Sequence, residues 1–232
     1  MTMEKLSERT KPRLETGRCH TASDEDPSVG FAIGHFVKAT ASNREAIVRK
    51  AAEILTSGGV IVMPTDTVYG LACHPDFPDA LRRIYEIKAR DGRKPVAFLA
   101  SDPVQPVAFG ASFSPSAVRF AEKFWPGALT IVADCRGTTE GFRVPDSALA
   151  RDIIAACGGL LRVTSANLSG QPAAATAQDQ SVADIADRCD LVIDDGPSPV
   201  GIASTVIRDA PDGWKILRAG GVTETDLRGV LG

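Results

Sequence analysis

The sequence predicts an α/β domain whose sheet mixes parallel and antiparallel strands and carries flanking helices. Three observations lead there. Segments with apolar residues at helical spacing alternate with short apolar runs along residues 29–232. Several of those runs follow one another without a helix between them, which a purely parallel sheet does not allow. The chain of 232 residues is 44% hydrophobic and 24% charged, enough apolar surface for a packed core.

Taken in order, Ala46, Ile47, Ala51, Ile54 and Leu55 recur at helical spacing, and Gly58 with Gly59 closes that helix. Residues 60–63 (VIVM) read as a buried strand stopped by Pro64. Asp79 is expected to cap a helix with the stripe Leu81, Ile84, Tyr85 and Ile87. Residues 96–100 read as a strand. Ser114 followed by Pro115 predicts the start of another helix. Strands follow at 129–132 and 142–144, then a helix capped by Asp146 and ended by Gly158 and Gly159. Residues 160–163 read as strand, 182–188 as helix, 191–193 as strand. Two more strands lie near 205–207 and 215–217, and Thr223 opens a last short helix.

Residues 1–28 stand apart. They hold eleven charged residues and few apolar ones, so a mobile tail is expected. Lys and Arg number 26 against 29 Asp and Glu, a net charge of −3. Such a chain has no broad basic surface for nucleic acid, and any anion must meet a local cluster of cations. No apolar run approaches the length that crosses a bilayer. The five cysteines include no CxxC pair, and His20, His35 and His74 do not space themselves as zinc partners. Cys73 beside His74 reads as an incidental pair. With no signal-peptide pattern at the start, a reduced, cytoplasmic protein is expected.

Four loops carry the polar chemistry. The first is 64–70 (PTDTVYG), directly after a buried strand; taken alone it reads as an ordinary helix-capping turn in preference to a polar-ligand loop. The second, 88–95, places Lys88, Arg90, Arg93 and Lys94 at a helix end and across the turn beyond it. Cations complement a helix C-terminus, yet this cluster outruns the helix and suits a polyphosphate. The third is 164–170 (TSANLSG), whose hydroxyls and amide can bind phosphate oxygens without adding charge, the other reading being a simple Asx-type turn. The fourth is 203–206, followed fourteen residues after Ser204 by Arg218. Neither a GxxxxGK[ST] loop nor GxGxxG occurs, and none of the histidines falls in these loops. On spacing alone the protein is an α/β domain with an anion site.

In series these segments resemble the YrdC/Sua5 family. The resemblance rests on 63–71 (MPTDTVYGL), Lys88 and Arg90 with Lys94 and Pro95, 125–130 (WPGALT), 143–145 (RVP), 164–170, 204–206 (STV) and 217–220 (LRAG), over about residues 45–225. It implies a single YrdC-like domain of the short form over 29–232, with a twisted mixed sheet and an open concave cleft. It implies a nucleotidyltransferase, an L-threonylcarbamoyladenylate synthase. Such an enzyme joins L-threonine, bicarbonate or CO2, and ATP into threonylcarbamoyl-AMP and pyrophosphate for the t6A modification of tRNA. The family's catalytic positions fall on Lys88, Arg90, Ser165 and Asn167. ATP contacts fall on Arg90, Lys94, Thr139, Ser165, Ala173 and Arg218, and threonine contacts on Thr67, Arg143, Val163 and Ser204. Mg2+ is implied on the phosphates, with no protein metal ligand. Implied partners are the tRNA threonylcarbamoyltransferase machinery in transient contact, with weak or no direct tRNA binding and no membrane.

The chain departs from the family pattern at three places. Leu99 stands where many members have histidine, Asp91 where proline is usual, and Asp66 where Glu is commoner. Trp125, Pro126 and Gly127 read as structural, a core ring and a turn. Two other readings stay open: a carbamoyl-adenylate domain of the O-carbamoyltransferase type, and a noncatalytic RNA-binding protein of this fold.

Overall fold

The computed structural model describes residues 36–92 and 94–232. The tail expected over 1–28, and Arg93, lie outside the described residues. The first half runs β1 (Phe36–Lys38), α1 (Arg44–Thr56), β2 (Val60–Met63), β3 (Gly70–Cys73), α2 (Pro78–Ile87), β4 (Ala97–Ala100), α3 (Val104–Ala108) and β5 (Ala111–Ser112). Then come α4 (Pro115–Phe124), β6 (Leu129–Cys135), β7 (Thr138–Arg143), α5 (Ala148–Ala156) and β8 (Leu160–Ser165). The chain continues through α6 (Gln180–Ala186), β9 (Leu191–Asp194), β10 (Thr205–Ala210), β11 (Gly213–Arg218) and α7 (Glu224–Leu231).

All these strands form one mixed sheet in the order β1-β9-β2-β3-β8-β4-β7-β6-β10-β11, with β5 paired to β6 off that path. The β1–β9, β2–β9, β4–β7 and β6–β10 pairs are parallel and the others antiparallel. Helices cover both faces. On one, α1 and α5 bury Ile47, Ala51, Leu55, Leu149 and Ile153 against Ile61, Met63, Leu99 and Val163. On the other, α2 and α6 pack over Val60, Val62 and Leu71, and α4 with α7 pack over Phe98, Leu129 and Phe142. No helix among the described residues is long and apolar enough to cross a membrane.

The mixed α/β class read from the sequence is the observed one. Its details differ at helix starts. Asp79 lies inside α2, whose N-cap is Phe77, and its carboxylate pairs with Arg82. Asp146 does not cap α5. Ser147 does, its hydroxyl accepting the Ala150 N–H at 3.2 Å, while Asp146 pairs with Arg151 at 3.3 Å on the surface. The helix expected at 182–188 starts two residues earlier, because Asp179 binds back to Ala175 and Thr176 and turns the chain there. Ser114 and Thr223 cap as expected, the latter in a reciprocal box with Asp226.

Four elements were not legible: β1, β3, α3 and β5. All residues of β3 are buried, so the two-residue alternation that marks a strand is absent. The hairpin joining β6 to β7 was also missed. Its two turn residues, Arg136 (φ 51°) and Gly137 (φ 83°), take the left-handed pair such a turn demands. Arg136 is an unusual first residue there, and its guanidinium lies over the Phe109 ring at 4.2 Å.

The two α5 cap candidates separate in a stability measurement. Ser147→Ala is expected to lower unfolding stability by about 1 kcal/mol in denaturant titration, and Asp146→Ala by less than about 0.5 kcal/mol, because its ion pair is solvent-exposed.

Candidate active site

A pocket of about 290 Å3 lies on the face of the sheet that α1 and α5 cover. Leu99 and Val163 belong both to that core and to the pocket wall. Strand alternation builds the floor: Thr139, Gly141 and Arg143 are successive same-face positions on β7, and Ala97 with Leu99 are those on β4. Gly141 has a steric reason, since a Cβ there would sit 3.3 Å from Ala97 and 3.4 Å from Thr130.

The β2–β3 loop forms one wall. Thr65 donates its hydroxyl to Val68 O at 2.6 Å and accepts the Thr67 N–H at 3.2 Å, which folds the loop onto itself. Arg143 joins it from β7. Its Nε donates to Gly127 O at 2.9 Å, its Nη1 to Thr67 Oγ1 at 2.7 Å, and its Nη2 pairs with Asp66. This guanidinium is buried, and burial pulls its pKa down against the opposing pull of Asp66. The corner is therefore an ion pair, close to neutral as a unit.

Two further cations, Arg90 and Arg218, line the pocket, and the Arg218 charge is felt at Arg143. Arg90 donates from Nη1 to Thr164 Oγ1 at 3.1 Å and from Nη2 to Pro95 O at 3.3 Å, while its buried Nε has no partner. Arg218 donates from Nη2 to Ser204 O at 2.8 Å and to Ser204 Oγ at 3.2 Å; that hydroxyl meets Thr130 Oγ1 at 2.8 Å. Neither Arg90 nor Arg218 pairs with a carboxylate among the described residues, and no acidic residue lines the pocket. Burial and then the Arg90 charge lower the Arg218 pKa. Two guanidiniums without a carboxylate partner among the described residues, set beside hydroxyls, have the chemistry that suits a polyanion.

The backbone explains how the cations get there. Ala89 follows α2 with φ 47°, the left-handed cap conformation that glycine usually takes, and the Arg90 N–H closes the helix on Tyr85 O at 3.0 Å. That reversal sends Lys88 into the protein and Arg90 to the pocket. Beyond Arg218, Gly220 lets the 218–220 segment lie against 203–205, since a Cβ would come within 2.2 Å of Ala203 O.

Of the residues singled out by the sequence, Thr67, Arg90, Thr139, Arg143, Val163, Ser165, Ser204 and Arg218 line the pocket. Lys88, Lys94, Asn167 and Ala173 do not. Lys94 is exposed, and Lys88 and Asn167 are buried behind the wall. The reading of Lys88 as a direct neutraliser of phosphate therefore lacks a line of contact. Thr65, Thr130 and Gly141 also line the pocket and were not named as contacts; counting back by two from Arg143 finds Gly141. Asp66, noted as a departure, turns out to be the partner of Arg143. The Cys73 thiol is pushed up to about 12 by burial, and His74 faces the Cys157 carbonyl at 3.1 Å. Among the described residues no cluster of His, Cys, Asp and Glu converges as a metal site.

Residues 53–220 match the model of the Sua5/YciO/YrdC family, described as "Telomere recombination". The chain belongs to this family. A Bacillus subtilis threonylcarbamoyl-AMP synthase is 32% identical over 202 residues, 82% of this chain and 58% of that protein. The human protein of that name is 32% identical over 193 residues, covering 77% of this chain and 68% of its own. Among solved structures, Pyrococcus abyssi Sua5 complexed with L-threonine superposes with a TM-score of 0.77 at 28% identity, over 87% of this chain and 61% of that one. Escherichia coli YciO shares the fold, with a TM-score of 0.69 at 24% identity. The chain thus spans about 58% of the Bacillus relative and 61% of the Pyrococcus one.

The left-handed cap is testable by folding stability. Ala89→Val is expected to destabilise by about 1–2 kcal/mol or more, because a β-branched side chain is a poor fit to positive φ. Ala89→Gly should shift stability by less than about 1 kcal/mol, strain relief and lost chain stiffness opposing each other.

Proposed function

We propose that this chain makes threonylcarbamoyl-AMP and pyrophosphate from L-threonine, bicarbonate or CO2, and ATP. The observation that carries the reading is the pair Arg90 and Arg218, without a carboxylate partner among the described residues, in a pocket also lined by Arg143, which is itself paired with Asp66 behind the lining. A triphosphate suits the first two, and the carboxylate of an amino acid suits the third. The names of the Bacillus and human relatives, and the threonine complex of the Pyrococcus one, support the same reading.

In this proposal the threonine amine takes up CO2, and the carbamate oxygen attacks the α-phosphorus. The bond from that phosphorus to the bridging oxygen breaks, and pyrophosphate leaves. Such a transfer needs no nucleophilic side chain. It needs alignment and charge neutralisation, and alignment of two reactants contributes roughly 7–11 kcal/mol. Arg90 and Arg218 would hold the phosphates, with Ser165 and Thr139 as hydroxyl contacts. Arg143 has five N–H donors; its three bonds to Gly127, Thr67 and Asp66 leave the rest for the threonine carboxylate.

Among the described residues no carboxylate lines the pocket, so these residues do not fit a protein-held Mg2+. Mg2+ enters the proposal as a counter-ion carried by the nucleotide. We further propose that the product serves tRNA t6A formation through a separate transferase, with little direct tRNA affinity given the net charge of −3. A cytoplasmic setting is supported by the free thiols of Cys73, Cys135, Cys157 and Cys189, all buried.

The test is pyrophosphate release by the pure protein, with threonine and bicarbonate each left out in turn. Release that needs both supports the proposal. Release that needs carbamoyl phosphate instead, or RNA binding without turnover, rejects it. Arg90→Ala and Arg218→Ala should each lower kcat/KM for ATP by about tenfold to a hundredfold, the size of one lost charge-assisted hydrogen bond.

The reaction should also weaken in base. Burial, then the Arg90 charge, push the Lys88 ammonium down to about 8. It is protonated at neutral pH and loses its proton as pH rises, which leaves one of its three oxygen partners facing a lone pair. The expected kcat/KM profile is flat near neutrality and falls with a midpoint of about 8. A profile unchanged through that region contradicts it.

A further inference from the structure

Among the described cations of the 88–94 cluster, Lys88 is the one placed wholly inside the protein, at 2% exposure. It follows the last turn of α2, and its own carbonyl accepts the Ser169 N–H at 2.9 Å. Its ammonium donates to Ser165 O at 2.5 Å, Asn167 O at 2.7 Å and Asn167 Oδ1 at 3.0 Å. An ammonium has three N–H groups, so all of them are engaged. The same Asn167 Oδ1 accepts the Ser165 hydroxyl at 2.6 Å, and Asn167 Nδ2 donates to Gln171 O at 2.6 Å. Backbone and side chain of one lysine thus hold the whole 165–169 turn, and only Ser165 of this network reaches the pocket.

We propose that Lys88 is a positioning residue: its ammonium is the centre about which the 165–169 turn folds, fixing Ser165 at the pocket wall, and it does not contact the nucleotide phosphates. The point-like shape of the ammonium matters. Three oxygens converge on it, and the planar fork of a guanidinium does not match that geometry. No carboxylate stands among the oxygens this buried charge bonds; removing it takes a donor from each of the three and leaves Asn167 O with none among the described residues, while Ser165 O keeps the Asn167 N–H and Asn167 Oδ1 keeps the Ser165 hydroxyl.

The kinetic arm of the test rests on the synthase reading; the exchange arm does not. In Lys88→Met, deuterium uptake across 165–171 should rise about tenfold or more, the size expected for losing hydrogen bonds to a charged group, with uptake elsewhere unchanged. The kcat for pyrophosphate release should fall by a similar factor, and Lys88→Arg should rescue neither. Lys88→Met combined with Asn167→Ala should be no worse than the worse single variant, whereas Lys88→Met combined with Arg218→Ala should multiply. Unchanged uptake in Lys88→Met, full rescue by Lys88→Arg, or multiplication with Asn167→Ala overturns the proposal. If the wild-type protein releases no pyrophosphate, the synthase reading fails and the exchange result alone decides the role of Lys88. Lys88→Gln, which keeps two donors, replaces Lys88→Met if the latter does not fold.

Discussion

Two guanidinium groups, Arg90 and Arg218, held in one pocket without a carboxylate partner among the described residues are the constraint around which this structure is arranged. Like charges repel, and partial burial adds to the cost. Each arginine is therefore fixed by neutral oxygens: Arg90 by Thr164 and Pro95, Arg218 by Ser204. Those oxygens arrive from β8, the β4 entrance and the loop before β10, elements far apart in the chain. The sheet order brings them together, since β8 pairs with β4, β4 with β7, and β7 with β6 beside β10.

The same economy of charge explains the third arginine. Arg143 is buried more deeply than Arg90 and Arg218, and it alone of the pocket arginines has a carboxylate partner, Asp66, among the described residues. Full burial of an unpaired guanidinium would be far more costly than burial of the pair. The pocket thus grades from a neutral corner to a cationic one over a floor of Ala97, Leu99, Gly141 and Val163. On the proposed reading that gradient orients the substrates, amino acid at one end and phosphates at the other. Leu99 adds an apolar side chain to this floor, so nothing at that position contributes a polar contact.

Much of this was legible in the sequence, because Thr67, Arg90, Val163, Ser165, Ser204 and Arg218 lie in or beside polar loops that follow apolar strands or a helix end, whereas Thr139 and Arg143 on β7 came only through the resemblance to the family. What stayed hidden has physical causes. Lys88 reads as a pocket cation because its neighbours Arg90 and Lys94 are charged, yet a left-handed Ala89 turns consecutive side chains to opposite sides. Asp66 looked like a departure, and its role depends on a contact with Arg143 across 77 positions of chain. Strand β3 lacks a visible period because both its faces are covered. Asp79 and Asp146 were plausible caps by residue type, but the register of each helix decides which oxygen reaches an N–H, and Ser147 holds that position in α5.

The central claim is that Arg90 and Arg218 form a polyphosphate receptor. Titration calorimetry with adenosine, AMP and ATP on the wild-type protein and on Arg218→Ala tests it most directly. Affinity is expected to climb from adenosine through AMP to ATP, to weaken with salt, and to fall in Arg218→Ala for ATP while adenosine is unaffected. Equal affinity for adenosine and ATP, or an Arg218→Ala protein that binds ATP as the wild type does, would contradict the account.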